Sequence, residues 1–266
     1  MRLKVSNLEL EYEVEGPRTG IPVVLIHGFP FDHSMWNPQV SVLKKEFHVV
    51  TYDVRGHGKS GVGDGQYSIE YFVDDLIALL DHLKLSKVVV VGLSMGGYIA
   101  LRAIERNPER FRGIVLCDTR SEADGNDGKV KRATQANAVK SSGMKAFAET
   151  FVKAVFYEKT FETRPDVVAA IKEIIEHAPP LAVAGTLLAL AARTDTTASL
   201  FSIQVPALIL VGQHDALTPP SASQAMKDKI PDAEIFVIPR AGHLSNLEQE
   251  EEFNLHLLSF LRKLQA

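Results

Sequence analysis

The sequence contains a single cysteine in 266 residues, so it cannot form a disulfide bond within the chain. Chains without disulfides are typical of reducing compartments. Residues 1–9 lack the apolar core of a signal peptide, and no apolar stretch is long enough to span a membrane. We therefore expect a cytoplasmic protein with no membrane partner.

An excess of charge of one sign is also missing. The 29 lysines and arginines nearly balance the 33 aspartates and glutamates, which gives a formal net charge of −4. The basic residues form no cluster, and nucleic-acid binding requires one, so we expect no nucleic-acid partner. No histidine and carboxylate pair has the helical spacing of a known metal motif, so we expect no catalytic metal.

What the sequence does contain is 45% apolar residues, enough for one large core. After a predicted hairpin (2–5 and 8–14), apolar strands and helical patterns alternate along the chain. This alternation predicts an α/β fold, a mostly parallel sheet with helices on both faces. The further predicted strands are 22–27, 47–52, 87–92, 113–118, 207–212 and 234–238, and the helices lie near 35–44, 69–83, 95–107, 220–230 and 247–264.

The alternation is interrupted between residues 120 and 204. The polar segment 120–131 is predicted to be an exposed connection, and helical patterns follow near 131–141, 143–155, 165–177 and 181–192. We interpret 120–204 as a helical cap inserted after the sixth strand, over a core domain of residues 1–119 and 205–266. The aromatic residues of the cap are Phe147, Phe151, Phe156, Tyr157 and Phe161. Most of them should attach the cap to the core, and one or two should line an apolar pocket.

The most informative segment is residues 88–97. Four consecutive valines predict a buried strand, and a helical pattern begins directly after Ser94. A strand, a sharp Gly-x-Ser-x-Gly turn and a helix form the context of a nucleophile elbow, which holds the serine hydroxyl above the sheet. Glycine is needed at positions 92 and 96 because side chains there would collide with neighbouring backbone. The alternative is an ordinary turn with an incidental serine.

A serine hydroxyl is a weak nucleophile until a base removes its proton. Of the nine histidines, His243 follows a short apolar strand and a loop of small residues, and an amphipathic helix comes next. A loop at the end of a strand can place an imidazole over the sheet edge, so His243 is the candidate base. His82, His177 and His256 fall in helical patterns and are interpreted as ordinary helix residues.

The base needs an acid that orients it. Asp215 follows the predicted strand 207–212, directly before the strand that delivers His243, and is the preferred candidate. Asp118 ends the strand 113–118 in the same manner and is the alternative. The chain order Ser94, Asp215, His243 is one that serine hydrolases use.

Two backbone N–H groups are candidates for an oxyanion hole. One belongs to Phe29, in the loop after the predicted strand 22–27, and the other to Met95, the residue after Ser94. His27, in the same loop as Phe29, is interpreted as a structural residue that fixes the loop through hydrogen bonds.

Polar residues follow six predicted strands at the carboxyl end, the edge at which parallel sheets bind ligands. They are His27, Asp53, Ser94, Asp118, Asp215 and His243. Asp53 belongs to a glycine-rich loop with Arg55 and His57, and we interpret these three as scaffolding of that loop.

Over nearly its whole length, the chain resembles the α/β-hydrolase superfamily. The matching segments are His27-Gly28-Phe29-Pro30, Asp53-x-Arg55-Gly56-His57-Gly58-x-Ser60, Gly92-Leu93-Ser94-Met95-Gly96-Gly97, Val211-Gly212-x-x-Asp215 and Ala241-Gly242-His243. It is similar to small bacterial carboxylesterases and 3-oxoadipate enol-lactonase-like hydrolases. The resemblance implies the α/β-hydrolase fold with an eight-stranded sheet and no cofactor. It also implies a triad of Ser94, Asp215 and His243, with Phe29 and Met95 as oxyanion donors.

The preferred hypothesis is a serine hydrolase that cleaves small-molecule carboxylic esters of small to medium acyl chain through an acyl-enzyme. The same residues would serve an enol-lactone hydrolase, a C–C bond hydrolase or a perhydrolase, and a slow ligand-binding signalling hydrolase is a further alternative. Arg120 or Arg132 would suit the carboxylate of an enol-lactone, but we interpret both as solvated surface residues. The sequence does not predict the oligomeric state.

Overall fold

The structure is a computed structural model that describes residues 1–265. Its central sheet has eight strands in the order β1-β2-β4-β3-β5-β6-β7-β8. The strands are β1 (Arg2–Val5), β2 (Leu8–Glu15), β3 (Pro22–Ile26), β4 (His48–Tyr52), β5 (Val88–Leu93), β6 (Phe111–Cys117), β7 (Ala207–Gly212) and β8 (Ala233–Ile238). The pairs β1–β2 and β2–β4 are antiparallel, and the other five pairs are parallel. The predicted fold class is confirmed.

Helices cover both faces of the sheet. Those of the alternating part are α1 (Asn37–Leu43), α2 (Ile69–His82), α3 (Met95–Arg106), α9 (Pro220–Lys227), α10 (Ser245–Glu248) and α11 (Glu250–Lys263). Every residue of β5 is buried, as a central strand with both faces covered requires. Burial of each valine side chain there stabilises the fold by roughly 1.5–3 kcal/mol.

Five further helices lie between β6 and β7, and we call residues 126–191 the inserted helices. They are α4 (Asn126–Ser142), α5 (Met144–Val155), α6 (Thr160–Thr163), α7 (Pro165–His177) and α8 (Pro180–Ala191). Helix α4 packs along α8, and α5 packs against α7. Within residues 1–265, no single helix is long and apolar enough to cross a membrane. Helices α7 and α8 reach that length and hydropathy only when they are taken together, and the pair is bent by 98°.

Two sequence expectations about these elements are wrong. The segment 120–131 is not entirely a connection, because α4 begins at Asn126. An ion pair between Arg132 and Asp124 anchors the first turns of α4. Local sequence does not show that contact. The predicted helix 247–264 is broken at Gln249, where φ is −136° and ψ is 61°. Glu248 is held there by hydrogen bonds to backbone outside the helix, including the Gly242 N–H.

Gly96 makes one of the two tightest backbone approaches of the elbow, and this approach gives a stability prediction. A Cβ atom at Gly96 would lie 2.2 Å from the Ile26 carbonyl oxygen, which is fixed in β3. We expect Gly96→Ala to lower the free energy of unfolding by about 1–3 kcal/mol or more in urea denaturation, because the backbone must shift. Gly125→Ala is the control, since nothing lies within 4 Å of its added Cβ, and it should cost less than about 1 kcal/mol. Equal losses in both variants would contradict the steric argument.

Candidate active site

Ser94 joins β5 to α3 in a backbone conformation that favours glycine. Its φ is 54° and its ψ is −111°, so the surrounding structure must hold the turn in place. The Ser94 N–H donates to the Cys117 carbonyl at 2.9 Å, and the Thr119 hydroxyl donates to the Ser94 carbonyl at 2.8 Å. Thr119 approaches this closely because Gly97, whose added Cβ would lie 2.4 Å from the Thr119 hydroxyl, has no side chain. The end of β6 therefore stabilises the strained turn.

The structure brings Ser94, His243 and Asp215 into one hydrogen-bonded chain. His243 Nε2 lies 2.8 Å from Ser94 Oγ, and His243 Nδ1 lies 2.8 Å from Asp215 Oδ2. His243 and Asp215 are each only 3% exposed. The three residues follow β5, β8 and β7 at the carboxyl edge of the sheet, where the sequence analysis placed them.

The turn after β7 holds the Asp215 carboxylate. The Leu217 and Thr218 N–H groups each donate to Oδ1 at 2.9 Å, and the Thr218 hydroxyl donates to Oδ2 at 2.6 Å. Burial disfavours the charged form, but His243 and the Thr218 donors outweigh it and lower the pKa of Asp215 below its ordinary value. The sequence analysis missed Thr218, although a threonine three residues after a loop aspartate is a common turn signal.

The same contacts make the His243 imidazole a stronger base. Burial alone would lower the pKa of His243, but the Asp215 charge and the hydrogen bond to it raise the pKa above its ordinary value. Asp118 and Glu248 add to this increase with smaller contributions. The environment of the imidazole therefore favours its protonated form.

Asp118, the alternative acid, lies beside this chain but does not bond to the imidazole. Its Oδ1 accepts from the Gly212 N–H at 2.7 Å, and its Oδ2 accepts from the Ser245 hydroxyl at 2.5 Å. Complete burial, and then the negative charge of Asp215, raise the pKa of Asp118 well above its ordinary value. The geometry therefore favours Asp215 over Asp118 as the partner of His243.

The two candidate oxyanion donors, Phe29 and Met95, line the same cavity as Ser94. Met95 is the first residue of α3, and the first N–H groups of a helix have no partner inside the helix. Within the described part of the chain, neither N–H donates to a protein acceptor. Both amides are therefore available to an oxygen atom bound above Ser94.

His27 and Asp53 fix the loops beside the site, as expected. His27 Nε2 accepts from the Val54 N–H at 2.9 Å, and its Nδ1 lies 2.8 Å from the Gly28 carbonyl. Asp53 accepts from the Lys59 N–H at 2.8 Å within the glycine-rich loop. These contacts use the polar atoms for loop structure.

Arg55 and His57 have the same kind of role. Arg55 forms two hydrogen bonds, of 2.6 and 2.5 Å, to the Asp75 carboxylate in α2. His57 is buried, and its Nδ1 lies 3.1 Å from the Arg55 carbonyl. Burial and the neighbouring His27 lower the pKa of His57 to about 3, so it remains neutral.

A cavity of about 320 Å³ opens above Ser94 and His243. Its apolar walls include Phe29 and Tyr98 from the sheet side and Phe151 and Leu190 from the inserted helices. Phe151 packs edge-on against Phe29 with ring centroids 5.9 Å apart. Phe151 therefore lines the pocket and also attaches the inserted helices to the core.

The opposite wall of the cavity is cationic. Arg120, Lys131 and Arg132 line it, with Asp124 as the one carboxylate among the lining residues. The interpretation of Arg120 and Arg132 as solvated surface residues is wrong, because both pair with Asp124 and face the cavity. Local sequence could not show this, since the pairing depends on how the segment 120–132 folds back on itself.

Asp124 forms ion pairs with three arginines. Arg120 and Arg193 each lie 2.9 Å from Asp124 Oδ1, and Arg132 contacts Oδ2. Burial opposes the charge of Asp124, but Arg193 and Arg132 lower its pKa to about 2. Lys131 has no ion pair within residues 1–265. The cluster therefore carries more positive than negative charge next to the cavity.

A comparison with known families identifies the fold. The profile of the alpha/beta hydrolase fold matches residues 21–250. The chain belongs to the α/β-hydrolase family. This confirms the resemblance found in the sequence.

Among curated relatives, this α/β-hydrolase is 30% identical to 3-oxoadipate enol-lactonase 1 of Acinetobacter baylyi over 256 residues, 96% of this chain and 94% of the relative. Among solved structures, it matches a thermophilic esterase from Thermogutta terrifontis, determined with malate bound. That match has a TM-score of 0.96 and 39% identity, and it covers all of both chains. The enol-lactonase from Burkholderia xenovorans matches with a TM-score of 0.92 and 32% identity over 98% of this chain and 100% of that one.

No group of three or more His, Cys, Asp or Glu residues able to hold a metal ion is found across residues 1–265.

The arginine cluster gives a pH-dependent prediction. A pKa of about 2 for Asp124, against an ordinary value of 3.8, corresponds to on the order of 2–3 kcal/mol of stability at pH 7. We expect Asp124→Asn to lower the free energy of unfolding by about that amount in urea denaturation. Because the folded-state pKa is depressed, this contribution is present above about pH 4 and is lost as the pH falls toward 2.

The control for this experiment is Asp127→Asn, an exposed carboxylate in the first turn of α4, which should change stability by less than about 1 kcal/mol. The difference between wild type and Asp124→Asn should narrow when the curves are measured at pH 3. A loss that stays constant with pH would show that Asp124 does not act through its charge.

Proposed function

We propose that the protein is a carboxylic-ester hydrolase in which Ser94 is the nucleophile, His243 the general base and Asp215 the orienting acid. The observation that carries the proposal is the continuous hydrogen-bonded chain, with two links of 2.8 Å, at the floor of a cavity. Family membership supports a hydrolase. The esterase and the two enol-lactonases among the similar proteins support cleavage of an ester or lactone bond.

The reaction begins when His243 Nε2 removes the Ser94 proton as Oγ attacks the ester carbonyl. The N–H groups of Phe29 and Met95 stabilise the oxyanion, a type of interaction worth about 3 kcal/mol per donor. Collapse of the tetrahedral intermediate breaks the C–O bond, and His243 donates its proton to the departing alcohol. A water molecule, deprotonated by the same imidazole, then attacks the acyl-Ser94 ester and releases the acid.

Asp215 has a purely electrostatic and orienting role in this scheme. Its lowered pKa keeps it ionised, and its bond to Nδ1 leaves Nε2 free to face Ser94. The raised pKa of His243 means that the imidazole must lose a proton before it can act as a base. Activity should therefore fall as the pH is lowered through a value above 6.5, the ordinary pKa of histidine.

The cationic wall favours substrates that carry a carboxylate in addition to the ester. The cavity is lined by three cations, Arg120, Lys131 and Arg132, against one carboxylate, Asp124, so a substrate anion would bind in an environment of opposite charge. Malate, bound by the similar esterase, is a dicarboxylate. We infer a preference for monoesters of dicarboxylic acids over neutral esters of the same length.

A carboxylated lactone is the second candidate substrate. A lactone is a cyclic ester, and the same attack, oxyanion and hydrolysis steps would open its ring. The cationic wall is the observation that favours it, because an enol-lactone with a carboxylate side chain would present the same anion to Arg120 and Lys131. A pendant carboxylate is thus common to both candidates, and only the bond that is cleaved differs.

Substitutions within the hydrogen-bonded chain test the proposed roles. Ser94→Ala should reduce kcat for p-nitrophenyl esters by about 10⁴- to 10⁶-fold, and Asp215→Asn by about 10⁴-fold, while both variants remain folded. Asp118→Asn should reduce kcat far less, because Asp118 does not bond to His243. Measurements per folded enzyme, with circular dichroism as the check, decide the assignment. Undiminished hydrolysis by Ser94→Ala would show that Ser94 is not the nucleophile. A larger loss of kcat in Asp118→Asn than in Asp215→Asn would show that Asp118 is the orienting acid.

The substrate preference is tested with monomethyl adipate and dimethyl adipate, which share one acyl chain and differ in charge. Wild-type kcat/KM should be higher for the monoester by about tenfold, the equivalent of one charge-assisted contact. Lys131→Gln should lower kcat/KM about fivefold for the monoester and leave kcat/KM for the diester unchanged. Lys129→Gln, an exposed lysine on the same helix that does not line the cavity, is the matched control.

Added salt should narrow the gap between the two esters, because it screens the partly exposed charges. A carboxylated lactone assayed beside γ-butyrolactone distinguishes the second candidate from the first. Equal kcat/KM values for monoester and diester in the wild-type enzyme would refute the preference without affecting the proposed ester hydrolysis.

A further inference from the structure

The loop that carries His243 is bonded to the inserted helices as well as to the sheet. The His243 N–H donates to the carbonyl of Val155, the last residue of α5, at 2.8 Å. A Cβ atom on Gly242 would lie 2.6 Å from the Tyr157 nitrogen and 3.0 Å from the Val155 carbonyl oxygen. The segment 155–157 therefore packs directly on the backbone that presents the imidazole.

One buried carboxylate joins the two sides of this contact. Glu248 is 3% exposed. Its Oε1 accepts from the Gly242 N–H at 2.7 Å, and its Oε2 accepts from the Tyr157 N–H at 2.8 Å and from the Thr160 hydroxyl at 2.5 Å. It thus binds the residue before His243 and two residues of the inserted segment at once. The proposed reaction does not require Glu248 to touch the substrate.

A neutral side chain could not replace these contacts. Three donors converge on two carboxylate oxygens, whereas the amide of glutamine has one acceptor oxygen and a nitrogen that only donates. In either orientation of the amide, the glutamine nitrogen would face the N–H of Gly242 or of Tyr157, and neither of these can accept a hydrogen bond. Leaving buried donors without acceptors is unfavourable, so the carboxylate is specifically required here.

The charge of Glu248 also acts on His243. The carboxylates that affect the imidazole are Asp215, then Asp118, then Glu248. On the side of α6 and α7, the Arg164 guanidinium donates to the Leu247 carbonyl at 3.4 Å and lies 3.9 Å from Glu250. Within residues 1–265 Glu248 has no ion pair. Burial raises the pKa of Glu248, and the hydrogen bonds from Thr160, Tyr157 and Gly242 oppose that increase because they favour the charged form.

We propose that Glu248 is a positioning residue, which holds the His243 loop against the inserted helices and so places the imidazole on Ser94. The inference rests on the proposed function, because Glu248 would support the residue that acts as the base in that reaction. It implies that the position of the inserted helices and the geometry of the base are linked through this one carboxylate.

The test compares Glu248→Gln, Glu248→Asp and Thr160→Val in ester hydrolysis across pH. Glu248→Gln should lower kcat at least tenfold with less than a threefold change in KM. It should also move the acid limb of kcat/KM to lower pH, because a negative charge near His243 is lost. Glu248→Asp keeps the charge, so the limb should stay in place while kcat falls. Thr160→Val removes one donor only and should leave the limb unchanged.

Glu250→Gln is the matched control, since Glu250 is a partly exposed carboxylate two residues further on, and it should change neither kcat nor the limb. If Glu248→Gln does not fold, the comparison of Glu248→Asp with Thr160→Val still applies: an unchanged kcat in Glu248→Asp would refute the proposal. Wild-type kcat and acid limb in a folded Glu248→Gln would refute it equally.

A second readout separates this inference from the proposed function. The His243 Nδ1 proton, bonded to Asp215, should give a downfield proton resonance, and Glu248→Gln should shift or broaden it whether or not esters are hydrolysed. If wild type is labelled at Ser94 by a fluorophosphonate and Glu248→Gln keeps the resonance unchanged, Glu248 has no positioning role. If wild type is not labelled and Ser94→Ala hydrolyses esters normally, the proposed function itself fails.

Discussion

The contact between α3 and the end of β3 is the constraint on which the site depends. At Gly96 the helix backbone passes so close to the Ile26 carbonyl that no Cβ atom fits between them. This approach forces the sharp turn at Ser94, with its φ of 54°, and lifts the hydroxyl above the sheet. It also brings the Met95 N–H beside the loop that carries Phe29. This contact, together with the close approaches at Gly92 and Gly97, thus holds the turn that carries the candidate nucleophile.

The inserted helices and the segments that flank them add positive charge to the cavity above Ser94. Ion pairs that are taken out of water contribute little net stability unless every charge is compensated. Three arginines pair with Asp124, and Asp195 also interacts with Arg193, so the cluster keeps an excess of positive charge. Arg120 and Arg132 face the cavity. The charge of Asp124 stabilises the fold, but the excess of positive charge beside the cavity needs a further explanation. It is well explained as a prearranged site for an anionic group, whose binding would complete the neutralisation.

Most of the fold, and the positions of the reactive residues, could be predicted because they depend on local patterns. Runs of valine and leucine identified the strands, and the ends of those strands placed Ser94, Asp215 and His243 at one edge. Contacts between distant segments gave no such pattern. Arg132 pairs with Asp124 near the start of α4, and Glu248 bonds to residues 157 and 160 next to the helix break at Gln249. Both sets of contacts depend on tertiary packing. The sequence therefore identified the candidate triad but not the residues that hold it.

The three carboxylates around His243 raise the question of how the imidazole can still release a proton. A base that holds its proton too strongly cannot return it to the leaving group. Asp215 is ionised, and its charge is one reason why the pKa of Asp118 is raised well above the ordinary value. The two acids are thus coupled: ionisation of one opposes ionisation of the other. The pKa of Asp118 is therefore raised, while its two oxygens accept hydrogen bonds from the Gly212 N–H and the Ser245 hydroxyl. Among the three carboxylates, Asp215 has the largest effect on the pKa of the imidazole, and Asp118, the alternative acid of the sequence analysis, has a smaller one.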